Sequence, residues 1–388
     1  MKVEFKKQLD EAAATYNKSH KGVKVEVTTV GGGTDYQTNL KAKMQSGKTP
    51  DVFVVEGPQQ LQTYKQYLAD VSDAKAIKNA LPGTLNTVKS GSQVLGFPVL
   101  QESIGIVYNK DIFKKAGIDP AKITSMSAYE DALKTLNAKK DELGIQATTA
   151  FPMKEWWVIG QHAVDPFLSE EFDGSVTKAY NAKTISWKNS SEFKAYIDAT
   201  TKYSAQPVQS MDYSTQIEKL FSTGKVAMAE QGSWVYPTIE SVNKDLAKNI
   251  GMIPIPVNSE SAGKLPVGVT QWWAVNKKAD TKTQKAAKDF MDWLFTSKEG
   301  KNIVLTGLKV VPAYSGFDSS KIADPLGKAT YEYIDAKKTQ GLVFGGFPTD
   351  WAQNGMAPDL QKYVAGKESW SDVVKNSEAA WKSARADQ

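Results

Sequence analysis

The chain has no cysteine, only two histidines and a single arginine, Arg385. Without cysteine, disulfides, thiolate-held zinc and a cysteine nucleophile are all excluded. His20 and His162 are too far apart in sequence for a local H-E-x-x-H pair. A mononuclear zinc site or a Ser-His-Asp triad would have to rest on His162, because His20 falls in the polar turn NKSHKG. Both read as ordinary surface or core histidines, and no metal or cofactor is expected. No run approaches 18 consecutive apolar residues, so no membrane-spanning helix is expected. Charge of one sign is scarce as well: 48 Lys plus Arg against 43 Asp plus Glu leaves +5. The lysines are scattered among acids rather than gathered into a stripe with aromatics, which argues against nucleic acid as a partner. No charged n-region followed by an apolar h-region opens the chain, so no signal peptide is read there. The chain is thus expected to be cytoplasmic or to begin after its signal.

What is present suggests two lobes, since 388 residues exceed what one core usually supports. Phe5, Leu9, Ala12, Ala13 and Tyr16 lie at helical spacing, and Val23, Val25 and Val27 then alternate with polar residues as a strand. Gly31, Gly32 and Gly33 follow, but the G-x-G-x-x-G spacing fails at Tyr36, leaving a loop reading. A helix is predicted over 36–45. SGKT at 46–49 is not a phosphate loop, because Ala42 stands where its first glycine belongs.

The run DVFVV at 51–55 reads as a parallel strand covered on both faces. It ends on Glu56, Gln59 and Gln60, where ligands bind in open α/β sheets. A second strand is predicted around Ile104, Ile106 and Tyr108, with Gln101, Glu102 and Ser103 placed for a ligand just before it. Asp111 would cap the helix that follows and Gly117 would stop it. Further helices are predicted around 129–136, 193–203, 284–295 and 331–334. Strands are predicted near Val226 and Met228, over 250–257 as a proline-punctuated edge, and as one strand in KLPVGVTQWWAV. The alternation makes the class α/β.

Several of these stretches together resemble one family. KGVKVEV, DYQTNLKAKMQSGKTPDVFVV, GFPVLQESIGIVYNKDIFKKAGI, FSTGKVAMAEQGSW, and VTQWWAV with KDFMDWLFTSKEGKNIV occur in the order found in extracytoplasmic solute-binding proteins of ABC sugar importers, the maltose-binding-protein-like group. The resemblance spans essentially the whole chain. It implies a two-lobed, class II periplasmic-binding-protein-like α/β fold, whose lobes are joined by crossover segments and close on a ligand by hinge motion. Lobe 1 would comprise 1–112 and 268–315, and lobe 2 113–267 and 316–388. It implies a binding protein rather than an enzyme, a monomer that delivers an oligosaccharide to membrane permease subunits, and an extracytoplasmic location as a surface lipoprotein or a free periplasmic protein. One departure is the first strand that the family places ahead of the first helix; here Met1 falls almost at that helix, so that strand is expected to be missing or truncated and a ligand contact from the loop after it is not counted on.

A pyranose offers a flat C–H face and a rim of hydroxyls, so it calls for aromatic plates with carboxylates or amides around them. By resemblance, Trp234 in GSW is the stacking residue. Glu56 and Gln59, and Gln101 and Glu102, match ligand-lining segments. Of the tryptophan pairs, Trp157 and Trp272 are the expected ligand-facing members, with Gln271 beside the latter. Asp350 and Trp351 match a C-terminal loop that supplies another plate. Two rivals remain: a polyamine-type ligand held by acids beside the aromatics, and a glycoside hydrolase using paired carboxylates such as Glu56 and Glu102.

Overall fold

The computed structural model describes residues 5–30, 36–348 and 350–386; the loop expected at Gly31, Gly32 and Gly33 lies outside them. The chain divides into two compact units, Met1–Gln101 with Val269–Ala323, and Glu102–Gly268 with Asp324–Gln388. The first division falls inside the strand Gln101–Asn109, ahead of the point after YNKDIF that the resemblance implies.

In the first unit the helix Lys6–Ser19 buries Leu9, Ala12, Ala13 and Tyr16, the face its apolar spacing predicts. Tyr16 meets Phe290 edge-on at 5.1 Å, on the helix Thr281–Thr296. The helix Tyr36–Gln45 also lies where its pattern places it. Val23, Val25 and Val27 are half-buried and alternate with exposed residues, yet no ladder joins them to another described strand. A side chain serves the backbone instead: Asn17 Nδ2 donates to Val25 O at 2.9 Å and Asn17 Oδ1 accepts from Val25 N–H at 2.7 Å.

The three-stranded sheet has Trp272–Val275 at its centre, flanked by Val52–Val55 and Phe97–Pro98. Both pairings are antiparallel, so the parallel expectation for 51–55 is corrected. An unbroken apolar run reports that both faces are covered, not the direction of the neighbour. The single strand expected in KLPVGVTQWWAV is two, Leu265–Val269 and Trp272–Val275, with Gln271 in the link between them.

The second unit is built on Gln101–Asn109, nine residues that are buried from Glu102 onward. It pairs antiparallel with Val226–Gly232 and with Ile250–Ile253, while Ala147–Ala150 runs parallel to Val226–Gly232. Gly105 is required where the second partner crosses, because a Cβ there would stand 2.5 Å from Ile253 O. The helix Lys110–Ala116 begins on Asn109, not on Asp111 as expected. The Asn109 side chain accepts from the N–H groups of Asp111 and Ile112, while Asp111 sits in the first turn, where its charge suits the helix dipole. Gly117, at φ 76°, ends the helix as predicted. Asn109→Ala should therefore lower stability by about 1 kcal/mol, and Asp111→Ala by less. Urea unfolding of the two variants gives the order, and the reverse order would restore Asp111 as the cap.

The helices Met126–Ala138 and Ser190–Lys202 cover this sheet, with Tyr129 and Tyr196 5.8 Å apart. The last helix, Trp370–Ala386, buries Val373, Ser377, Trp381 and Arg385.

Candidate functional site

In the first unit the strand Val52–Val55 delivers Glu56 to a cluster of uncharged amides. Gln37 Nε2 and Gln60 Nε2 donate to Glu56 Oε2 at 3.1 and 3.2 Å, and Gln271 Nε2 donates to Oε1 at 3.2 Å. Gln60 also accepts the Glu56 N–H at 2.6 Å, and Tyr64 donates its hydroxyl to Gln37 Oε1 at 3.0 Å. Beneath them the Tyr36 hydroxyl accepts from Val54 N–H, and burial pushes its pKa up to about 12, so it remains a neutral phenol. Gln59, on the same short helix as Gln60, leaves Oε1 buried with no hydrogen-bond partner among the described residues. The sequence pointed to Glu56, Gln59, Gln60 and Gln271. It missed Gln37, on the helix Tyr36–Gln45, and Tyr64, in the turn just after the short helix Pro58–Thr63.

Gln101 is bound into the fold. Its Nε2 donates to Pro312 O at 3.0 Å and its backbone N–H to Val311 O at 2.8 Å. Glu102 and Ser103 lie within the strand rather than ahead of it, and both are buried. Ser103 Oγ meets Thr330 Oγ1 at 2.6 Å, and the Ser103 N–H donates to Ser233 Oγ.

The second unit carries an array of rings. The strand Val226–Gly232 runs into the turn Ser233–Val235, which folds the Trp234 ring down onto Gly232. A Cβ at 232 would lie 1.9 Å from that ring, so no other residue fits. Trp234 is 6% exposed. His162, the last residue of the π-helix Val158–His162, stands 4.9 Å from Trp234, 5.2 Å from Trp157 and 5.3 Å from Phe344. Trp157 is half-buried and donates Nε1–H to Glu155 Oε2 at 2.9 Å. The other oxygen of Glu155 accepts from Tyr213 N–H at 2.9 Å, which brings the Tyr213 ring to 5.9 Å from Trp157. Phe344 and Tyr213 were missed, because isolated aromatics carry no pattern until the fold gathers them.

Two expected plates are core residues instead. Trp272 is 2% exposed, donates Nε1–H to Thr84 O at 3.0 Å and packs its Cβ where Gly96 leaves room. It occupies the central strand of a covered sheet, so its neighbour Trp273 is buried as well. Trp351 is equally buried, donates Nε1–H to Ser377 O at 2.9 Å and packs 5.1 Å from Trp381 and 5.2 Å from Phe347. Asp350 is exposed at φ 63°, and its carbonyl accepts from Asn354 N–H.

Among the described residues no group of three or more His, Asp or Glu side chains could hold a metal ion, and no helix is long and apolar enough to cross a membrane.

Known proteins agree with this architecture. The family profile for bacterial extracellular solute-binding proteins matches residues 11–330. The melibiose/raffinose/stachyose-binding protein MelE of Bacillus subtilis (strain 168) is 23% identical over 379 residues, covering 96% of this chain and 84% of the relative. Among solved structures, the solute-binding protein RafE in complex with raffinose superposes with a TM-score of 0.79 at 20% identity, covering 99% of this chain and 98% of that one. The GacH receptor of Streptomyces glaucescens gives 0.76 at 18% identity, covering 100% and 96%. These structural likenesses establish the two-lobed α/β fold expected from the sequence. With the profile match over most of its length, the chain belongs to the bacterial extracellular solute-binding protein family.

Proposed function

We propose that the chain binds a neutral oligosaccharide and delivers it to the permease of an ABC importer. The observation that carries this reading is the setting of Glu56, a half-buried carboxylate surrounded by the amides of Gln37, Gln60 and Gln271 and by no cation among the described ion pairs. Such a cluster presents donors and acceptors in mixed order, as a sugar's hydroxyl rim requires. The second unit by itself offers an apolar plate of the kind a pyranose face calls for, the half-buried ring of Trp157, with Trp234 packed behind it through His162. Each hydroxyl bonded to a charged group contributes roughly 1.5–3 kcal/mol and each stacked ring about 0.5–1.5 kcal/mol beyond its buried area. A few of each reach the −8 kcal/mol or so of a micromolar complex. Gln59 Oε1, buried and without a partner among the described residues, is a further acceptor for a ligand hydroxyl. Glu102 remains a proposed contact, whereas Trp272 and Trp351 act through the core.

The relatives support this class of ligand, since their names and titles carry melibiose, raffinose, stachyose and acarbose. An anionic ligand would call for arginine, and the one arginine is bonded to backbone carbonyls in the last helix. A polyamine would call for several acids side by side, whereas Glu56 is set among the amides of Gln37, Gln60 and Gln271, and Glu155 is bonded to Trp157 and Tyr213. On the same reading the protein is an extracytoplasmic monomer, surface-anchored or periplasmic, that binds without turnover.

Tryptophan fluorescence titrated with raffinose, stachyose, maltotriose and spermidine should saturate with at least one saccharide near micromolar concentration. Glu56→Ala should weaken that complex by about 10- to 100-fold. Saturation with spermidine alone would overturn the reading, and shortened sugars in the mixture after incubation would reveal a hydrolase.

A further inference from the structure

Asp165 opens the short helix Asp165–Leu168 and is completely buried. Its Oδ1 accepts from the backbone N–H groups of Val343 and Phe344 at 2.8 and 2.7 Å. Its Oδ2 is buried without a hydrogen-bond partner among the described residues. A buried carboxyl with one oxygen unused is a costly way to satisfy two amides, so what those amides carry is of interest.

They belong to a segment that is held all along its length. Ser169 Oγ donates to Gly341 O at 2.7 Å, and the Arg385 guanidinium donates to Gly346 O and to Ala179 O. A Cβ at Gly346 would stand 2.2 Å from Val176 O, so the backbone lies directly against its neighbour there. Leu342, Val343, Gly346 and Phe347 are buried, while Phe344 between them is only half-buried. Its ring meets His162 at 5.3 Å, and His162 in turn meets both Trp157 and Trp234.

We propose that Asp165 is a positioning residue for the ring array: Oδ1 fixes the backbone of Phe344, whose ring sets His162 and, through it, the plates Trp157 and Trp234. The inference rests on the oligosaccharide reading for its effect on affinity, but its effect on ring geometry is independent of that reading. Asparagine keeps the Oδ1 acceptor and places an amide where Oδ2 has no partner; alanine removes both.

The full chain carrying Asp165→Asn or Asp165→Ala is titrated with stachyose at a temperature where each is fully folded, and near-ultraviolet circular dichroism is recorded without ligand. Asp165→Asn should stay within about threefold of the parent affinity and keep its tryptophan bands, whereas Asp165→Ala should bind about tenfold or more weakly, with those bands altered. If Asp165→Ala does not fold, Phe344→Leu replaces it and should show the same pair of changes. Parent-like affinity and parent-like bands in Asp165→Ala, or in Phe344→Leu in its place, would overturn the proposal. A loss in Asp165→Asn equal to that in Asp165→Ala would overturn it too, since it would make charge rather than the acceptor decisive. Should the parent protein bind no saccharide, the oligosaccharide reading fails alone. The bands then decide: altered in alanine and restored in asparagine supports positioning, and unchanged in both overturns it.

Discussion

Replacing Glu230 by glutamine should raise the melting temperature at pH 8 by about 10 °C and at pH 5 by only about 2–3 °C. Glu230 lies within Val226–Gly232 and is fully buried. Its Oε2 accepts the Tyr196 hydroxyl at 2.5 Å, and its Oε1 is buried without a partner among the described residues. Burial pushes the carboxyl up to about 8, against a smaller opposing effect of the Tyr196 bond. In the unfolded chain the same group ionises near its ordinary value of about 4.3. Between those limits the folded state holds more protons than the unfolded state, so stability falls as pH rises through the window and levels off above it. Each pH step of one across that window removes about 1.4 kcal/mol, so the loss by pH 8 is on the order of 3–5 kcal/mol. Glutamine still accepts from Tyr196, and it carries no proton to lose. Asp165, pushed up to about 7 by its own burial, adds a slope of the same sign below pH 7 in both proteins. Calorimetric melts from pH 5 to 9 therefore isolate Glu230 above pH 7, and parallel curves there would rule out its titration as the cause.

Trp351→Ala should lose about 3–5 kcal/mol of stability, or roughly 10 °C for a unit of this size. The deletion opens a cavity among Trp381, Phe347 and the last helix and removes the indole bond to Ser377 O. Saccharide affinity measured well below the melting transition should stay within about twofold of the parent, because a core residue acts through the folded fraction. A large affinity loss with an unchanged melting temperature would return Trp351 to the ligand, as the resemblance first implied.

The helices were the most legible part of the sequence. Lys6–Ser19 and Tyr36–Gln45 follow from apolar spacing that needs no knowledge of the partner. Strands were visible as segments but not as neighbours. Val52–Val55 pairs with Trp272–Val275, far along the chain, and an apolar run is compatible with either direction. The break between Leu265–Val269 and Trp272–Val275 left no mark, because Thr270 and Gln271 fit a strand as well as a link.

Within the candidate site the same division holds. Glu56 was readable from its place at a strand's carboxyl end, but Gln37 meets it only after a helix packs nearby. Adjacent tryptophans in one strand point to opposite faces, and sequence shows neither which face is covered nor, as at Trp272 and Trp273, that both are. Phe344 and His162 meet only in the folded chain, and the buried Asp165 that accepts from the Phe344 N–H is a residue that hydrophobic patterning has no means of selecting.

Arg385 has a consequence of another kind. Its guanidinium bridges the carbonyls of Ala179, Ala182 and Gly346 from the last turn of the C-terminal helix, under cover of the surrounding chain. Because no other arginine exists in the sequence, a dicarbonyl reagent selective for guanidinium has a single target per molecule. Its rate of attack would time the lifting of that helix, giving the protein a native clock for local opening without an added dye or tag.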